Sequence, residues 1–117
     1  MLVTDAPVDN HGSGASFSPT DLVATGLGTC MATVMGIFAR KQGFALEGTR
    51  VHVKKKMTPT LPRRIAELEV EIAFPPAATR SVAGNREAVE HHAHTCPVRL
   101  SLLSAIAVPV RFDWQAE

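Results

Sequence analysis

The sequence contains no tyrosine, a single tryptophan and five phenylalanines, so it has few flat side chains on which bases or sugars can stack. Neither sign of charge dominates. Twelve lysines and arginines face eleven aspartates and glutamates, interspersed along the chain, which argues against the basic face that nonspecific nucleic-acid binding needs. The opening residues, MLVTDAPVDNHGSG, lack the succession of basic, apolar and small residues that marks a secretory signal, and a cytoplasmic location is expected. Cysteine is scarce as well. Cys30 and Cys96 are too few for the disulfide scaffold of a small secreted protein, and in a reducing compartment such a pair is either redox-active or buried. The expected partners are small molecules or a second copy of the chain, not nucleic acid.

What is present is an apolar helix pattern. With 117 residues and 45% hydrophobic content, the chain fits one domain over residues 1–117 with a single core. The stretch VDNHGSG, residues 8–14, has the composition of a loop. Ser18 then offers an N-cap, Pro19 the first helical position and Asp21 an acid in the first turn. Lys41 and Gly43 supply the opposite signals, so a helix is predicted from Pro19 to Lys41. Its core is a run of eighteen uncharged residues, Leu22 to Ala39. That length approaches a membrane span, but Thr25, Thr29, Thr33 and three glycines dilute it and no second segment resembles it. Ala24, Gly28, Ala32 and Gly36, spaced by four, form a face of small residues that lets another backbone approach. A helix that is apolar all round is expected to be buried in protein, with no membrane involved.

Two strands are expected next, VHVKKKM (51–57) and IAELEVEIAF (65–74). In the second, Leu68, Val70, Ile72 and Phe74 alternate with Glu67, Glu69 and Glu71, the period of a strand with one face on a core. An antiparallel hairpin would set Lys54 and Lys56 opposite those glutamates, and the lysine run reads as a solvated face. Pro75 and Pro76 end the strand. A second helix is expected in RSVAGNREAVEHHAHT (80–95), weakened by Gly84 and Asn85, then a short third helix in CPVRLSLLSAI with Cys96 as cap and Pro97 in first position. VPVRFDW (108–114) reads as the last strand. The order gives an α+β domain without internal repeats.

Chemistry concentrates on the thiols. Cys30, inside the first helix, reads on its own first as a small buried hydrophobe. Cys96, at a helix N-terminus, faces unpaired N–H groups that favour a thiolate. Together they suit an attacking thiolate and a resolving thiol. His91, His92, His94 and Cys96 raise a metal site as an alternative, but His92 falls off the face shared by His91 and His94, and histidines near the negative end of a helix dipole explain the cluster better. No phosphate loop, Gly-x-Ser-x-Gly elbow or HExxH pair occurs.

The segment GSGASFSPTDLVATGLGTC, with TCPV 66 positions beyond Cys30, resembles the OsmC/Ohr superfamily of osmotically inducible and organic hydroperoxide resistance proteins, over nearly the whole chain. The resemblance implies an OsmC-like fold: antiparallel sheets wrapped around two central helices in an intertwined homodimer, with active sites at the subunit interface. It further implies that Cys30 is the peroxidatic cysteine, attacking a small organic hydroperoxide to give a sulfenic acid, and that Cys96 resolves it as a disulfide. No cofactor is implied, only an external dithiol reductant of the lipoyl type. Peroxidases of the family carry a glutamate directly after the helix proline, where this chain has Thr20 followed by Asp21, and an arginine from an N-terminal strand. No arginine precedes Arg40 here. The chain therefore resembles the OsmC-like branch, without the family's N-terminal strands, and Arg63, Arg64 and Arg99 are the remaining candidates for the cation. The alternative function is a non-catalytic OsmC-like dimer that binds an apolar ligand or senses redox state.

Overall fold

Ser18 starts the main helix by exchanging hydrogen bonds with Asp21. Its hydroxyl accepts the Asp21 N–H at 3.1 Å, and the Asp21 carboxylate accepts the Ser18 N–H at 3.0 Å, which satisfies two of the amides that a helix start leaves unpaired. In this computed structural model, which describes residues 1–116, the resulting helix α1 runs over Pro19–Gln42 and closes on Gly43, whose φ of 78° is the left-handed conformation glycine tolerates. The expected boundaries hold to within one residue. Before it, the expected loop contains one short 3-10 turn, Val8–Asn10.

Strands β1 (Arg50–Met57) and β2 (Ile65–Phe74) pair antiparallel, with Lys54 opposite Glu69 and Lys56 opposite Glu67. The Lys56 ammonium lies 3.0 Å from the Glu67 carboxylate, so the charge pairing on the wet face is as expected. The lysine run is not one solvated face, however. Lys55 shares the inward side of β1 with Val51, Val53 and Met57, because side chains alternate along a strand.

The sheet corrects the expectation of purely antiparallel pairing. Strand β3 (Val110–Trp114) runs parallel to β2, from Val70 opposite Val110 to Phe74 opposite Trp114. The helical segment between the two strands is long enough for the crossover that a parallel pair requires. That segment also departs from the single helix expected over 80–95. Helix α2 (Pro76–Val82) begins on Pro76, the residue that ends the strand, and α3 (Arg86–Ala93) follows after a 3-10 turn over Ala83–Asn85. Ala83 sits at φ 54°, a conformation that interrupts a right-handed helix. Helix α4 (Pro97–Ser101) then starts behind Cys96.

The core lies where α1 meets the sheet and α3. Leu27, Met31 and Met35 of α1 bury against Leu68, Val70, Ile72 and Phe74 of β2, with Val89 and Ala93 of α3. At Gly28 the helix approaches β1 so closely that a Cβ would stand 3.0 Å from a Val53 methyl. Phe74 in turn stacks on Trp114 at 3.7 Å. Only one face of α1 is covered by its own chain, against the expectation of burial all round. Val23, Thr29, Ala32, Thr33, Gly36 and Ile37 remain exposed, although the helix is long and apolar enough to cross a membrane by length and composition. The molecule is elongated, 47 × 28 × 27 Å, with a radius of gyration of 16.0 Å, where a compact chain of this length has about 13.4 Å.

Candidate functional site

The two cysteines meet. Cys30 projects from the middle of α1 on the side packed against the core, half-buried, with Val34 and Phe38 along the same side. Cys96 caps α4, which packs against α1. Cys96 is completely buried, and its thiol lies close enough to Cys30 for the two to interact. Its sulfur also accepts the Arg99 backbone N–H at 3.3 Å.

This environment reverses one expectation. A helix N-terminus was expected to favour the Cys96 thiolate, but burial pushes the thiol above its ordinary value of 9.0. The Arg99 and Val98 N–H groups act in the opposite direction, and the interaction with Cys30 adds to the rise. Desolvation outweighs the cap because α4 has five residues and brings few aligned peptide dipoles. Burial thus favours the neutral Cys96 thiol.

The arginines named as candidate cations have other occupations. Arg63 reaches Asp9 at 3.5 Å, and the Arg64 guanidinium donates to the Ile65 carbonyl at 2.8 Å. Arg99 touches a thiol through its backbone N–H. The cation that sequence reasoning missed is Lys55. Its ammonium donates to Asp21 and Thr20 at 2.8 Å each and to Ser18 at 3.3 Å, so all three of its protons are engaged. The lysine side chain is 14% exposed, and its hydrogen bond holds the Asp21 carboxyl below the ordinary value of 3.8, helped by the Ser18 N–H. The alternation of β1 carried the signal, since Lys55 is in step with Val51 and Val53.

The Asp21–Lys55 pair forms the polar end of an open groove of about 630 Å³ between α1 and β1, otherwise lined by Phe17, Ala24, Gly28, Val51 and Val53 among others. Asp21 and Cys30 are nine residues apart on one helix, which places them roughly 13 Å apart along the axis and about half a turn round it. The pair and the thiols therefore occupy different sides of α1.

The histidines diverge. His92 stacks on Phe38 at 4.0 Å and its Nδ1 is 2.8 Å from the Ala88 carbonyl, while His94 meets the edge of Phe112. Among the described residues no group of three or more histidine, cysteine, aspartate or glutamate side chains is placed to hold a metal ion.

The α+β order of this chain is matched by known proteins. The family model for OsmC-like protein matches residues 11–111. The chain belongs to the OsmC-like family. A Psychrobacter arcticus 273-4 protein ascribed to the osmotic stress induced and detoxification response is 40% identical to this OsmC-like chain, with a TM-score of 0.81 over 93% of it and 77% of the other protein. The organic hydroperoxide resistance protein OsmC of Legionella pneumophila shares the fold at 18% identity, TM-score 0.75, covering 94% of this chain and 79% of that one. That of Elizabethkingia anophelis does so at 18% identity, TM-score 0.74, covering 94% and 78%. No curated protein matches the sequence.

Proposed function

We propose that this OsmC-like protein is a thiol peroxidase that reduces small organic hydroperoxides in oxidative stress defence, with Cys30 attacking and Cys96 resolving. The observation that carries the reading is the contact between a half-buried and a fully buried thiol. Cys30 is the sulfur a substrate can reach. Its thiolate takes the terminal oxygen of the hydroperoxide, the O–O bond breaks and the alkoxide leaves with a proton as alcohol. The Cys96 sulfur then displaces hydroxide from the Cys30 sulfenic acid, forming the disulfide and water. An external dithiol, of the lipoyl type or similar, takes the oxidation and restores both thiols. The apolar neighbours Val34 and Phe38 favour an organic peroxide over hydrogen peroxide.

The active unit of this reading is a homodimer in a reducing, cytoplasmic setting. Its support is the uncovered apolar face of α1, where Ile37 is 52% exposed, together with the elongated shape, since monomers seldom leave such a patch uncovered.

One observation favours the second reading, a dimer that binds an apolar ligand or senses redox state without turnover. Thr20 stands where the peroxidases have glutamate, and Asp21 is bound to Lys55 on the side of α1 away from the thiols. Stopped-flow oxidation of the reduced protein by cumene hydroperoxide and hydrogen peroxide separates the two. Fast oxidation that prefers the organic peroxide and is abolished in Cys30→Ser supports the peroxidase. Slow oxidation without preference moves the function to binding or sensing.

A further inference from the structure

One sulfur, that of Cys96, has two tasks. It accepts the Arg99 N–H as the cap of α4, and it is the partner of Cys30. It is also completely buried. A disulfide formed in this position would be closed to reductants on the Cys96 side, yet that is the sulfur a reductant should attack. Thiol–disulfide exchange runs faster when the departing thiol has a low pKa, and the burial that raises Cys96 makes it a poor leaving group. Efficient reduction therefore attacks Cys96 and releases Cys30.

The surroundings of Cys96 provide a way to uncover it. Between Cys96 and Ile106, both buried, no residue is buried. Leu100 and Leu103 are 73% and 64% exposed, and an open depression of about 440 Å³ lies beside α4, lined by His94, Arg99, Leu100, Leu102 and Ser104. Apart from Cys96, outward movement of α4 displaces only the partly buried Val98 and Leu102, which pack against the core. The helix also has little of its own to hold it. Beyond the cap, the Leu100 N–H bonds to the Cys96 carbonyl, the Ser101 hydroxyl to the Pro97 carbonyl and the Leu102 N–H to the Arg99 carbonyl. Segments with so few buried contacts open first, and one turn of helix gains almost no cooperativity.

We propose that α4 is a redox-gated door. Formation of the Cys30–Cys96 disulfide draws the Cys96 sulfur off the Arg99 N–H, the uncapped helix opens toward the depression, and the disulfide becomes accessible to a dithiol. In the balanced cycle, hydroperoxide and two thiols give alcohol, water and the disulfide. The dithiol then returns two thiols and is itself oxidised to a cyclic disulfide. Closing follows from the restored cap. The device rests on the thiol chemistry proposed above and adds a conformational step to it.

Hydrogen exchange read by mass spectrometry tests the door on the full chain, reduced and after one equivalent of cumene hydroperoxide, with the disulfide verified by loss of two hydrogens in the intact mass. The expected result is at least tenfold faster exchange of amides 98–105 in the oxidised protein, with α1 and β2 unchanged. Cys96→Ser, whose hydroxyl keeps the cap and forms no disulfide, should hold its protection in peroxide. Equal protection in the two redox states, or the same loosening in peroxide-treated Cys96→Ser, would overturn the proposal. Diamide forms the disulfide without a peroxide, so inertness to cumene hydroperoxide with a normal diamide response would count against the peroxidase reading and leave the door standing. Failure of both reagents to form the disulfide would overturn the door.

Discussion

Cys30 of α1 and Cys96 at the cap of α4 hold their thiols in contact while differing in exposure, one half-buried and the other sealed. This asymmetry assigns the order of the proposed chemistry, because a peroxide reaches only the exposed sulfur and the second sulfur waits beside it.

Removal of the waiting sulfur should stop the cycle after its first step. Cys96→Ser is expected to consume one equivalent of cumene hydroperoxide per chain and stall as the Cys30 sulfenic acid. Mass spectrometry after dimedone trapping would show the adduct on Cys30. Equal dimedone trapping in the parent protein, where Cys96 should consume the sulfenic acid, would mean that Cys96 is not the resolving thiol.

Alkaline stability should reflect the buried thiol. The folded state raises the Cys96 pKa above 9.0, so its contribution is fully present below that ordinary value and is lost as pH climbs from about 9 through the folded value. Urea denaturation of the reduced protein should show stability falling across this window. In Cys96→Ala the decline should be shallower, and an unchanged slope would assign it to other groups.

The start of α1 should lose stability at acid pH for the opposite reason. The Asp21 pKa is depressed, so its contribution is present above about 3.8 and is lost as pH falls through the lower folded value. Asp21→Asn at pH 7 removes the charge, which weakens the capping bond and abolishes the ion pair, with an expected cost of about 1 kcal/mol. The cost stays modest because the Asp21 side chain is 41% exposed. At pH 2 the difference between variant and parent should shrink toward zero in thermal melts.

Close approach of α1 to β1 should make Gly28 intolerant of bulk. A Cβ there would stand 3.0 Å and 3.3 Å from Val53 and Val51 methyls, and a branched side chain would force both β1 valines aside. Gly28→Val is expected to lower stability by about 1–3 kcal/mol, measured by urea titration. A neutral result would show that β1 yields more readily than this packing implies.

Charge placed on the uncovered side of α1 should separate subunits. Ile37→Asp, at a site outside the chain's own core, is expected to leave the monomer fold intact and shift sedimentation from dimer to monomer. Unchanged sedimentation would locate the subunit contact elsewhere.

Much of this was legible in the sequence because the signals are local. Ser18, Pro19, Asp21 and Gly43 bound α1, the period of two in β2 named its core face, and Cys96-Pro97 announced the start of α4. Each depends on neighbours within a few residues. The paired motifs around Cys30 and Cys96 likewise carried the family, since their residue types and spacing are written in the chain. Other features were decided only by tertiary structure. The parallel run of β3 depends on a crossover that no local pattern encodes. The break at Ala83 follows from how two short helices pack, and Lys55, though in step with Val51 and Val53, meets Asp21 only because β1 packs against α1. The Cys96 thiol is the sharpest case. Its place at a helix start favours the charged form, but desolvation is set by what surrounds it in space, and burial against α1 reversed the sign.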